Sequence, residues 1–159
     1  MSILQEPNTK LQKAKDKGYL IQSFNLPAGP TCPGAGDCAK FCYAKTGFYR
    51  MTSVVKRYYE NWESTKSSDF LELLQLDLDR LQTKATKAKL IPAVRIHTSG
   101  DFYSPDYFKQ WITAAANNPL IIFYAYTKSP FVRKLLKSGK VILPTNFIII
   151  FREPWSPSS

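Results

Sequence analysis

The sequence predicts an α/β protein: a partial (half) TIM-like barrel, or a small curved, mainly parallel sheet of about four strands flanked by helices. Three observations predict it. Short runs rich in β-branched and aromatic residues, AVRIHT (93–98), LIIFYAYT (120–127) and FIIIF (147–151), alternate with stretches of helical periodicity. Those runs are almost continuously apolar, the pattern of strands buried on both faces of a parallel sheet between helices. Helix start signals stand between the strands, so each connection has room for a right-handed crossover.

Taken along the chain, residues 1–18 are polar and lysine-rich and read as an arm, loose or briefly helical, ahead of a single α/β domain over 19–159. YLIQSFNL (19–26) is the first strand. LPAGPTCPGAGDC then holds three Pro and three Gly in thirteen residues, which breaks regular structure. Helical spacing resumes over 50–64, where Val54, Val55, Tyr58, Tyr59 and Trp62 recur every three or four residues as a core stripe. Asp69-x-x-Glu72 has the form of a capping box. The long amphipathic helix after it carries Phe70, Leu74, Leu78, Leu81, Ala85 and Ala88 on one face. Ser104 before Pro105 is an N-cap and first-turn pair for a helix to about residue 116. Ser129 and Pro130 repeat that signal, and Gly139 suits the stop. Too few strands follow to close a TIM barrel, so the sheet is expected to stay open.

Composition bounds the function. Hydrophobic residues at 44% exclude a disordered chain, and no run approaches the length of a membrane span. The first residues show no apolar core with a cleavage site, so the expected location is cytoplasmic and no membrane partner is expected. The net charge is +10, which favours contact with polyanions such as nucleic acid but is equally the mark of a solvated basic surface. Lys84, Lys87 and Lys89, at the end of the long helix, read first as a solvated face that complements its dipole. An open sheet edge would permit homo-oligomerisation.

The chemistry concentrates in one place. All three cysteines, Cys32, Cys38 and Cys42, fall within eleven positions of a Gly/Pro loop that follows the first strand. An odd thiol count without a secretory signal argues against a disulfide framework and for metal binding or chemistry. Three thiolates at short spacing can converge on a [4Fe–4S] cluster and leave one iron open to a small-molecule ligand. The competing metal is zinc, which favours four ligands and paired C-x2-C knuckles that this chain lacks; its one histidine, His97, could complete a Cys3His set.

The segments CAKFCYA, NLPAGPTCPGAGDC with CYAKTGFYR, RIHTSGDFYSPDYFKQW and FYAYTKS carry a family resemblance. The first resembles the cluster loop of radical S-adenosylmethionine (SAM) enzymes. The set together, over roughly residues 19–130, resembles the phage gene product 88 family. The resemblance implies a [4Fe–4S] cluster on Cys32, Cys38 and Cys42 after the first strand of a full or partial barrel, with SAM as a further cofactor. The usual radical SAM loop is C-x3-C-x2-C, whereas this one is C-x5-C-x3-C. No GGE-like motif for the methionine amine is present; SGD at 99–101 lies in the comparable place, with Asp101 as the substitute carboxylate.

The other candidates gather at predicted strand ends, where parallel α/β folds keep their sites. His97, Ser99 and Asp101 are candidates for a fourth ligand or for hydrogen bonds around the cluster; otherwise His97 is a core histidine and S-G-D a turn. Arg95 alternates with His97 and is expected on the same side, serving an anion or an internal carboxylate. Tyr126 and Lys128, with Tyr124 and Thr127, end the next strand, and Arg152 and Glu153 the last. Arg95, Tyr126, Lys128 and Tyr43 are the candidates for holding a cofactor, and Tyr43, Phe48, Tyr49 and Arg50 would shield a cluster from solvent. Three functions follow: a radical-generating enzyme, a redox or regulatory iron–sulfur protein, or a zinc module that binds nucleic acid.

Overall fold

The structure is a computed structural model and describes residues 3–5, 13–27, 53–97 and 100–152. Within them the chain runs as β1 (Tyr19–Phe24), α1 (Ser53–Thr65), α2 (Phe70–Ala88), β2 (Ile91–Ile96), α3 (Pro105–Asn117), β3 (Ile122–Thr127), α4 (Pro130–Ser138) and β4 (Phe147–Phe151). The four strands form one sheet in the order β1-β2-β3-β4, every pair parallel, and the sheet does not close into a barrel. This is the open α/β sheet that the apolar runs predict.

Strand order decides where the core lies. A right-handed crossover between neighbouring parallel strands puts its helix on one particular face. Because the order never reverses, successive crossovers stack their helices on the same side, as in a segment of a barrel, rather than on both sides as in a doubly wound sheet. In register, Phe24, Ile96, Ala125 and Ile149 lie side by side across the sheet. The first three are fully buried under Phe70, Leu74, Leu78, Trp111 and Phe108 of α2 and α3. An aromatic lattice fills this layer: Trp111 sits 5.3 Å from Phe24, 6.1 Å from Phe70 and 6.2 Å from Phe123, each edge to face.

The opposite face corrects the expectation of strands buried on both sides. Tyr124 and Tyr126 are half-buried there, and Ile148 and Ile150 are 49% and 40% exposed. Among the described residues no helix covers them. The apolar runs arise because the uncovered face of β3 and β4 is itself tyrosine and isoleucine.

Capping follows the sequence in part. Ser104 accepts a hydrogen bond from the Tyr107 N–H at 3.2 Å, as an N-cap should, and Gly139 ends α4 with φ of 74°. Asp69 makes no side-chain cap bond, so the expected capping box is absent; its backbone is already helical, and the Ser67 hydroxyl accepts from its N–H. Near the chain start, Lys13–Lys17 form a short 3-10 helix, and residues 3–5 pack onto the domain. Ile3 and Leu4 are buried, their N–H groups donate to Asp77 Oδ2 at 2.6 and 3.0 Å, and Gln5 bridges antiparallel to Ser23 of β1. No described helix is long and apolar enough to cross a membrane.

Candidate functional site

All four strands point the same way, so their carboxyl ends share one edge of the sheet. Residues 25–27 leave that edge from β1, His97 and 100–104 from β2, 127–129 from β3, and Arg152 from β4. Cys32, Cys38, Cys42, Tyr43 and Ser99 lie outside the described residues, as do Phe48, Tyr49, Arg50 and Glu153. Among the described residues there is no group of three or more His, Cys, Asp or Glu able to hold a metal ion.

The chain leaves β1 firmly held. The carbonyl of Asn25 accepts from Asn61 Nδ2 of α1 at 3.0 Å, and its own amide donates to Gln5 Oε1 and to Ser23 Oγ. The first strand therefore ends at a fixed point, tied to the N-terminal residues and to α1 at once.

His97 follows β2. Its N–H donates to the Phe24 carbonyl at 2.7 Å and so carries the ladder one residue beyond the strand. Its φ is +69°, a left-handed conformation uncommon for a side chain other than Gly, Asn or Asp. That backbone turn breaks the period-two alternation. Instead of sharing a side with Arg95, the imidazole turns into the helix-side core, 4.8 Å from the Phe102 ring and 5.6 Å from that of Tyr107. Nε2 hydrogen-bonds the Tyr107 hydroxyl at 2.7 Å, and Nδ1 has no partner among the described residues. Burial disfavours the charged ring and drives its pKa from 6.5 down to about 3, so the imidazole is neutral at pH 7. Burial likewise pushes the Tyr107 hydroxyl well above its ordinary value.

Asp101 locks two strand ends together. Its Oδ1 accepts from Thr127 Oγ1 at 2.6 Å and from the Phe102 N–H at 2.7 Å, and its Oδ2 accepts from the Lys128 N–H at 2.9 Å. Ser129 completes the lock: its hydroxyl donates to the Phe102 carbonyl at 2.6 Å, and its N–H donates to Thr127 Oγ1 at 3.1 Å. Gly100, with φ of 88°, supplies the turn that brings the carboxylate under β3. The sequence reading named Asp101, Thr127 and Lys128 but not Ser129, Asn25 or Tyr107 as members of this edge. For Asn25 the signal is a polar residue directly after an apolar strand run; Ser129 precedes the proline that opens α4, and Tyr107 carries no local signal inside α3.

Arg95, Tyr126 and Arg152 meet on the uncovered face. The Arg95 guanidinium lies 5.3 Å from the Tyr126 ring centroid and that of Arg152 lies 4.6 Å from it. Arg95 Nε is buried with no hydrogen-bond partner among the described residues, and no described carboxylate pairs with it. Burial raises the Tyr124 hydroxyl above its ordinary value, against the pull of Arg95. Chemically, this is a cationic and aromatic rim suited to hold an anionic or planar group.

Fold and edge define an open, singly wound parallel α/β protein whose strand ends carry a locked carboxylate, a strained histidine and paired arginines. The sequence model of the family described as gene product 88 matches residues 2–152, and the chain belongs to that family. It is 33% identical over 116 residues to the gene 88 protein of Mycobacterium phage L5, which covers 69% of this chain and 48% of the relative. Against the gene 88 protein of Mycobacterium phage D29 the identity is 30% over 115 residues, with the same coverage. The chain thus spans about half the length of these curated relatives. No solved structure matches it significantly.

Proposed function

We propose that this gene product 88 family member binds one [4Fe–4S] cluster through Cys32, Cys38 and Cys42. The observation that carries the reading is the placement of every thiol in one connection. That connection leaves the carboxyl end of the first strand of an unreversed parallel sheet, the place where such folds keep their chemistry. The donor set fits: three thiolates satisfy three irons and leave the fourth for a small-molecule ligand. When bound, the cluster supplies one-electron chemistry, with SAM as the candidate ligand of the open iron.

The chain's own residues support this role. Arg95 and Arg152 present two cations above Tyr126, suited to a carboxylate or phosphate on the ligand. The Asp101 carboxylate, engaged by three donors, fixes the β2 and β3 ends relative to each other. His97 holds a left-handed backbone at the same edge, and strain of this kind concentrates at functional sites.

Anaerobic purification of the full chain, with iron, sulfide and zinc quantified beside the visible spectrum, tests the reading. The expected result is a brown protein with about four irons and four sulfides per chain. Each of Cys32→Ser, Cys38→Ser and Cys42→Ser lowers that content. A colourless protein carrying one zinc overturns the reading and favours a zinc module on nucleic acid. Adding SAM to the reduced protein separates the two iron–sulfur functions: 5′-deoxyadenosine marks the enzyme, and reversible reduction without a SAM effect marks a redox or regulatory protein.

A further inference from the structure

The molecule carries a further concentration of charge at the same edge, which shares Arg152 with the rim over Tyr126. A cavity of about 400 Å³ opens where β3 and β4 end and α4 begins. Of the nine described residues that line it, five are cations: Lys128, Arg133, Lys134, Lys137 and Arg152. None of the nine is acidic. None of the five pairs with a described carboxylate. The buried Asp101 carboxylate bonds the Lys128 backbone N–H and makes no ion pair with any of the five.

These cations converge from three elements, and each is placed for a reason. Lys128 is exposed but its backbone N–H is fixed on Asp101. Arg133 lies with its guanidinium 4.7 Å from the Phe151 ring centroid, and Arg152 is held over Tyr126. Lys134 and Lys137 stand three apart on the exposed face of α4. The start of α4 adds to the positive field. Its first turn has no acidic residue, and Ser129 makes no side-chain cap bond because its hydroxyl is spent on Phe102.

Five cations around one concavity, none paired with a described carboxylate, focus positive potential there and attract anions of several charges most strongly. A single carboxylate would leave most of that potential in place. We propose that this cavity binds clustered phosphates, either the oligophosphate of a small molecule or the backbone of a single-stranded nucleic acid. The basic groove on α2 is a weaker candidate, since Asp79 lines it beside Arg80, Lys84 and Lys87. The proposal does not rest on the cluster reading: phosphate binding is read whatever the iron content.

The test uses the full chain and two probes, inorganic tripolyphosphate and a fluorescent single-stranded oligothymidylate, titrated at low and moderate salt. Two charge-matched variants are compared, Lys134→Glu with Lys137→Glu, and Lys87→Glu with Lys89→Glu. All four lysines are exposed helix-surface or helix-end residues, and circular dichroism checks that both variants fold. The expected result is binding that salt weakens and that the α4 pair loses by roughly tenfold or more, while the α2 pair changes it by less than about threefold. Tripolyphosphate binding alone identifies a small-molecule source; oligothymidylate binding alone, or its displacement of tripolyphosphate, identifies nucleic acid. Failure of the native chain to bind either probe overturns the proposal. So does equal weakening by the two pairs, which would assign binding to diffuse net charge.

Discussion

The two faces of the sheet are built from the same strands and do different work. On the helix side, Phe24, Val94, Ile96, Phe123 and Ala125 are sealed from solvent by α2 and α3. On the other side, Arg95, Tyr124 and Tyr126 are half-buried, and Ile148 and Ile150 are open. A change of one position along β3 moves a residue from one environment to the other. The lesson concerns strand order. Because it never reverses, the described crossover helices contribute to one layer, and among the described residues no helix covers the second face.

That contrast is open to attack at several strengths. The largest effect is expected at Trp111, which meets Phe24, Phe70 and Phe123 in the sealed layer. Trp111→Ala should cost about 3–5 kcal/mol in denaturant unfolding, by lost burial plus the cavity left behind. A loss under about 1 kcal/mol would mean that the layer is not the tightly packed core described.

The next concerns the Asp101 lock. Asp101→Ala leaves the Thr127 hydroxyl and two backbone N–H groups without their acceptor in a buried setting. The expected loss is about 2–4 kcal/mol. Hydrogen exchange should show it at the ends of β2 and β3 while the middle of α2 keeps its protection. Uniform loss of protection would argue against a local lock.

Nil at neutral pH, and growing only on acidification, is the contribution of His97. Its folded pKa is depressed from 6.5 to about 3, so between those values the unfolded chain binds a proton that the folded chain does not. The sign follows: this group leaves stability untouched above pH 6.5, and stability falls as pH drops below it, by about 1.4 kcal/mol per unit until the folded pKa is reached. His97→Asn tolerates the left-handed backbone and cannot titrate. Its unfolding free energy should therefore lose that share of the acid slope between pH 6 and pH 4, and an unchanged slope would assign the slope to other groups.

How much of this could be read from the sequence differs by kind of feature. The strands β2, β3 and β4 and the starts of α3 and α4 were legible, because apolar runs and Ser-Pro pairs are local signals. Capping shows where locality fails: Ser104 and Ser129 look alike in sequence, yet only Ser104 caps, since Ser129 is nearer the Phe102 carbonyl. Arg95 and His97 looked like neighbours on one face, and a single positive φ separated them. The burial of both sheet faces was misjudged because apolar runs report composition, whereas coverage depends on strand order. The cavity cations lie at positions 128 to 152 with no charge run to mark them, and only the return of β4 beside β3 brings Arg152 to α4.

The most direct test of the central claim is a pair of adjacent substitutions on β3, measured by denaturant unfolding of otherwise identical chains. Phe123 lies fully buried against Trp111 and Phe147, and Tyr124 points to the uncovered face beside Ile148. The account predicts that Phe123→Ala costs about 3–5 kcal/mol and that Tyr124→Ala costs less than about 1.5 kcal/mol. Equal losses would contradict it, because they would mean that both faces of the sheet are core.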